Sequence, residues 1–246
     1  MLRAADIAFS YGPAPILRGV SMEVPAEGFV GILGPNGSGK TTLLRVLAGV
    51  LRPSRGRVLL DGNDLCRTSR PLLARRMAVV PQETHLAFDY TVMEVVLMGR
   101  YPHLRAFEIE GPSDFGIARE ALAATGTLAL QDRPFGTLSG GEKQRVIIAA
   151  ALAQISGAAA AGLLLLDEPT VALDLSYQLE LAGLLLDLQR RLPIAIAIST
   201  HDLNFAASVW AAARAQSGSS CAFGCGVASR ASGLGVNVPL MQVGCK

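Results

Sequence analysis

Between Gly28 and Thr42 the chain reads GFVGILGPNGSGKTT, and very few architectures can hold that stretch. A short apolar run, Phe29 to Leu33, stops at Gly34. Then Gly34-Pro35-Asn36-Gly37-Ser38-Gly39-Lys40-Thr41 satisfies every fixed position of the pattern G-x-x-x-x-G-K-[ST], with Thr42 closing the stretch. Leu43, Leu44, Val46 and Leu47 follow at helical spacing. A buried strand, a glycine-rich turn and a helix in that order curl backbone N–H groups around an anion, and the positive end of the helix adds to them. Lys40 is placed to reach the β- and γ-phosphates of a nucleotide, and the Thr41 hydroxyl to sit on Mg²⁺.

At 246 residues the chain is long enough for one α/β domain, or a core with a smaller lobe. Its formal charge of +2 provides no electrostatic footprint for nucleic acid. Half of the residues are hydrophobic, which invites a membrane reading. The best candidate span, Gly157 to Leu166, stops at Asp167 after 10 residues, about half of what a spanning helix needs. Asp6 falls where a secretion signal would be apolar, so the expected location is the cytoplasm, with the apolar excess facing a partner. Cys66, Cys221, Cys225 and Cys245 follow no metal-ligand or disulfide-framework spacing.

Residues 2 to 9 read as a strand, and Val20, Met22 and Val24 alternate as in a half-buried antiparallel one. Tyr11 lies upstream of the phosphate loop, either to stack on an adenine ring or to pack on the sheet edge. Beyond the loop a helix should run to about Val50, then a strand, Arg57 to Leu60, closed by the turn Asp61-Gly62. A second apolar strand follows from Arg75 to Val80. Gln82 just after it suits either a ligand to water or metal, or a plain loop residue. From Thr84 to Thr137 the pattern is mainly helical and reads as an inserted lobe. Thr91 and Glu94 form a capping box there; Leu104 to Gly116 reads as a loop and Ile117 to Thr125 as a helix. Ser139 and Glu142 make a second capping box around Gly140 and Gly141, which describes either a second anion site or simply a well-capped helix.

Leu163 to Leu166 is fully apolar and ends in Asp167-Glu168. Two carboxylates at the end of a buried strand are costly unless they serve a cation or a proton transfer. Asp167 fits a Mg²⁺ contact, and Glu168 fits a base that polarises the attacking water. After a helix from Leu175 to Leu192, the buried strand Ile194 to Ile198 delivers His201, which can contact a γ-phosphate from there.

GPNGSGKTT, Pro81-Gln82, LSGGE, LLLLDEP, ALD and Thr200-His201 stand in an order that resembles the ATP-binding subunits of ABC transporters, over residues 1 to about 210. The resemblance implies an α/β fold: a phosphate-loop NTPase (RecA-like) core, an N-terminal antiparallel β subdomain, and an inserted helical subdomain at about 84–150. It implies ATP and Mg²⁺ as cofactors, Tyr11 as the adenine-stacking residue, Glu168 as the base and His201 as the γ-phosphate switch. Gln82 would link Mg²⁺ and the attacking water to the transport subunits. Two copies would pair head to tail, with Ser139, Gly140 and Gly141 of one on the γ-phosphate held by the other, and Asp174 in the loop across the dimer. Integral membrane permease subunits are the implied docking partners, at the inner face of the membrane, with a solute-binding protein acting through them. Thr91 to His103 is similar to the corresponding segment of iron-siderophore, haem and cobalamin importers.

Two stretches depart from that pattern. Ser156 to Gly162 is longer than the usual link and is expected to be a surface loop. From about Val209 the text turns to Ser, Gly, Ala and Cys, and no Asp or Glu follows Asp202. Residues 211–246 are therefore expected to be a frame-shifted or disordered tail, leaving a bare sheet edge near the histidine strand. Such a tail raises an alternative function, a nucleotide-binding subunit that does not hydrolyse.

Overall fold

Alternating side chains make β1 (Leu2–Tyr11) and β2 (Ala14–Val24) an antiparallel hairpin, with Leu2 opposite Val24 and Tyr11 opposite Ala14. The computed structural model describes residues 1–84, 86–157, 160–170, 174–207, 209 and 222–224. β3 (Phe29–Leu33) leads through the phosphate loop into α1 (Lys40–Leu47). β4 (Arg55–Leu60) and the short β5 (Asn63–Asp64) then join the hairpin in a sheet of order β2-β1-β4-β5. Next come α2 (Arg70–Arg76), β6 (Met77–Val80), α3 (Val92–Met98), α4 (Pro112–Ala124) and α5 (Gly140–Ile155). β7 (Gly162–Asp167), α6 (Leu175–Arg191), β8 (Ile194–Thr200) and β9 (Ala222–Gly224) follow.

β7 shows why the second sheet, of order β6-β7-β8-β3-β9 and parallel throughout, is interior. Leu163 and Leu165 join a core with α1 and the antiparallel sheet; Leu164 and Leu166 join another with α3, α5 and α6. All four are wholly buried, each contributing about 1.5–3 kcal/mol, which only a central strand covered on both faces can gain.

β6 and β7 are registered neighbours, Met77 opposite Leu163 and Val80 opposite Leu166, although the chain makes its helical excursion between them. The lobe expected from sequence is thus an insertion between adjacent core strands. Its helices pack closely: a Cβ at Gly99 would stand 2.2 Å from the Ala150 carbonyl oxygen, so only glycine permits this crossing of α3 and α5. Arg100 then donates to Asp114 Oδ1 (3.0 Å) and to the Ala153 and Ser156 carbonyls (2.6 and 3.2 Å), capping the end of α5 and tying in α4. His103 Nε2 lies 2.7 Å from the Gln154 carbonyl oxygen. The importer-like segment from Thr91 to His103 is therefore a structural clamp.

Both capping boxes form as expected, at Thr91–Glu94 and Ser139–Glu142. Three expectations need correction. Arg75 and Arg76 end α2 rather than begin a strand; that helix buries only Leu73 and leaves almost no apolar period in the sequence. α4 starts at Pro112, inside the expected loop, because Pro112 pre-sets the first turn and Asp114 accepts from the Gly111 N–H at 3.1 Å. The sheet edge expected near the histidine strand is not at that strand itself: β8 is flanked by β7 and β3, and Ala222–Gly224 of the tail pair with Val30–Ile32 on the outer side of β3. The remainder of the tail lies outside the described residues, as do Ala158 and Ala159 of the expected surface loop.

Candidate active site

Parallel strands end on one edge, so residues far apart in sequence meet there. Leu33 is registered opposite Thr200 and Asp167 opposite Ser199, and the Gly34 N–H donates to the Thr200 carbonyl at 3.3 Å. The phosphate loop, Asp167-Glu168 and His201 are thereby brought to one corner. Gly39, at φ 94°, turns the loop into α1; a Cβ there would stand 2.9 Å from Ile16 Cγ2.

Lys40 is 3% exposed and folds back into the loop. Its ammonium donates to the Gly34 and Pro35 carbonyls at 2.8 and 3.0 Å and pairs with Glu168 Oε1 at 2.8 Å. The other carboxylate oxygen, Oε2, is 2.8 Å from His201 Nδ1. Burial pushes the Glu168 carboxyl up, but the hydrogen bond and charge of Lys40, followed by those of His201, outweigh it and hold the group below the usual glutamate range. Glu168 is therefore ionised at neutral pH. Its backbone sits at φ 44°, a conformation costing about 1–2 kcal/mol for a residue with a side chain. The Glu168 N–H holds it there by donating to both the carbonyl and the hydroxyl oxygen of Ser199, each at 3.1 Å.

Sequence reasoning gave Ser199 no role. It is wholly buried, and its hydroxyl donates to Asp167 Oδ1 at 2.7 Å while accepting from Glu168 N, so one side chain sets both acids. The available sign was a polar residue in an apolar strand, aligned with Asp167 once the two strand ends are paired.

Whether this corner fits a nucleotide and its metal can be judged from two features. Among the described residues Ser38 Oγ, buried in the loop, has no hydrogen-bond partner, a cost of about 1–3 kcal/mol that a phosphate oxygen would relieve. Among the described residues no three His, Cys, Asp or Glu side chains converge as a metal cage. One carboxylate, Asp167, with the Thr41 hydroxyl suits Mg²⁺, which keeps phosphates and waters in its shell. Asn36, Gly37 and Thr42 complete the loop, Asn36 and Gly37 exposed at its rim and Thr42 buried in α1.

Other candidates lie farther out. Tyr11 makes one edge-to-face contact with Phe9 at 4.9 Å and is 49% exposed, so its ring is open to stacking. Gln82 is exposed beyond β6 and shares no hydrogen bond with Asp167 or Glu168. Ser139, Gly140 and Gly141 start α5, and no hydrogen bond or ion pair joins them to the phosphate loop among the described residues. The N–H groups of Gly140 and Gly141 donate to no acceptor there. Asp174 caps α6, its Oδ1 accepting from the Tyr177 N–H at 3.0 Å.

A lysine-bearing anion nest facing an ionised glutamate across a parallel sheet edge defines the class, a phosphate-loop nucleoside triphosphatase. Within that class the chain belongs to the ABC transporter family, whose model matches residues 17–171. It is 45% identical over 209 residues to the hemin import ATP-binding protein HmuV of Gloeobacter violaceus, covering 84% of this chain and 75% of that protein. To the ferric enterobactin transport ATP-binding protein FepC of Escherichia coli it is 39% identical, over 82% of this chain and 73% of the relative. The dimeric structure of the bacterial ABC transporter cassette MJ0796 superposes with a TM-score of 0.69 at 26% identity, over 85% of this chain and 91% of the other.

Proposed function

We propose that this chain binds and hydrolyses ATP to power import of a metal chelate of the iron-siderophore, haem or cobalamin kind. The observation that carries the catalytic part is the ion pair of Lys40 with an ionised Glu168 at the mouth of the phosphate loop, with His201 on the other carboxylate oxygen. The triphosphate lies in the nest, with Lys40 turned from Glu168 toward the β- and γ-phosphates and Tyr11 against the adenine. Thr41 and Asp167 would hold Mg²⁺, with Gln82 as a further ligand, and the ion would supply charge neutralisation to the phosphate oxygens. Glu168 orients the attacking water and takes its proton, and His201 holds Glu168 and reads the γ-phosphate. Charge developing on the transferred group is met by Lys40 and the backbone N–H groups.

The unpaired N–H groups of Gly140 and Gly141 support a head-to-tail pair, in which Ser139, Gly140 and Gly141 complete the site of a second copy across a loop that includes Asp174. No described helix is long and apolar enough to cross a membrane. In this reading integral permease subunits supply the path, a solute-binding protein supplies cargo to them, and this chain works at the cytoplasmic face. Haem and ferric enterobactin in the names of two relatives, together with the Thr91–His103 clamp, support the cargo class. Residues 1–210 form the cassette in this reading, and residues 211–246 come from a shifted frame. Coding DNA in which neither other frame gives an apolar, Asp-Gly, apolar pattern overturns that last point.

Phosphate release from Mg-ATP tests the catalytic assignment. Glu168→Gln should retain ATP binding while turnover falls about 10²–10⁴-fold. Near-normal turnover in that variant removes Glu168 from the role.

A further inference from the structure

Gly141 is buried although it belongs to the first turn of a helix, and what covers it is an aromatic ring. A Cβ at Gly141 would stand 2.5 and 2.7 Å from Cδ1 and Cε1 of Tyr177, inside van der Waals contact, so the ring lies directly on the backbone. Tyr177 is itself 38% exposed and stands in the first turn of α6, where its N–H is held by Asp174. One turn further along both helices, Arg145 of α5 is paired with Glu180 of α6. The start of α5, in the inserted lobe, is thus fastened to the start of α6, in the core, by one ring and one ion pair.

We propose that Tyr177 is a positioning residue for the reaction. It seats Gly141 so that the free N–H groups of Gly140 and Gly141 face the γ-phosphate held by a second copy, and it transmits the setting of Asp174 to them. This rests on the head-to-tail reading above. The physical basis is that two unpaired donors at a helix start bind an anion only when their direction is fixed, and the ring fixes it from behind. Glycine at 141 then has a steric reason apart from phosphate access, since any side chain would displace the ring. The contact needs the ring and not the hydroxyl, because it is ring carbons that meet Gly141.

The test compares the full chain with Tyr177→Ala and Tyr177→Phe in three measurements. These are binding of a fluorescent ATP analogue to the single chain, steady-state ATPase, and ATP-dependent dimerisation in a Glu168→Gln background. Tyr177→Ala should keep single-chain nucleotide affinity within about twofold, while kcat and dimer affinity each fall by about tenfold or more. Tyr177→Phe should restore both to within about threefold. The proposal is overturned if Tyr177→Ala keeps kcat and dimer affinity, if it loses nucleotide affinity or folding in parallel, or if Tyr177→Phe behaves like Tyr177→Ala. Failure of the Tyr177-containing chain to dimerise with ATP would instead count against the head-to-tail reading itself.

Discussion

Glu168 has two partners whose effects differ. His201 and Ser199 orient it, whereas Lys40 neutralises it and is itself drawn away from where phosphates would lie. Nucleotide must compete for that ammonium. Glu168→Gln removes both the competitor and a negative charge, so it should tighten ATP binding by about 2–10-fold, corresponding to about 1 kcal/mol of released competition. Calorimetry under non-turnover conditions checks this; equal or weaker affinity contradicts it. Ser199→Ala leaves Asp167 without its buried donor and should lower folding stability by about 1.5–3 kcal/mol in urea denaturation. Asp167, Glu168 and His201 were legible in the sequence because they follow recognisable apolar runs, and Lys40 because it completes the glycine-rich pattern. Ser199 was not, because its role comes from pairing across strands that are distant in the chain.

The inserted lobe is held by a buried pair that no motif announced. Arg100 and Asp114 are 5% and 8% exposed, and Arg100 also caps α5. The Arg100 hydrogen bond, then that of the Gly111 N–H, hold the Asp114 carboxyl below 3.8 against the opposing effect of burial. A carboxyl with a lowered folded-state pKa stabilises fully above its unfolded value and loses that contribution as pH falls through the folded one. Asp114→Ala should therefore cost about 3–5 kcal/mol at pH 7, and the gap from the parent chain should narrow as pH falls below the usual aspartate range. Chemical denaturation at several pH values measures it; a gap independent of pH contradicts the assignment. A continuous apolar run and a capping box made β7 and α5 the most legible elements in the residues. α2 was not, since a seven-residue helix burying one leucine carries no period. Nor was the early start of α4, where Gly111, Pro112 and Asp114 act through local hydrogen bonding rather than hydrophobic spacing.

At the scale of the whole molecule, the proposed pairing asks two regions of one chain to work in different copies. The phosphate loop with Glu168 and His201 lies on the parallel sheet edge, and the donors of Gly140 and Gly141 sit at the lobe. The proposed division rests on a sequence feature that reads either as a second anion site or as a well-capped helix, whereas the ring of Tyr177 behind Gly141 required the fold. The small strand β9 on the outer side of β3 was also hidden, because three residues, Ala222–Gly224, are too few to carry an alternation. The central claim is that two copies complete each other around ATP. Light scattering of the full-length Glu168→Gln chain with Mg-ATP tests it directly. A mass of twice 25.7 kDa, reverting to one chain when nucleotide is removed, is the predicted result. A single-chain mass at saturating ATP would contradict it.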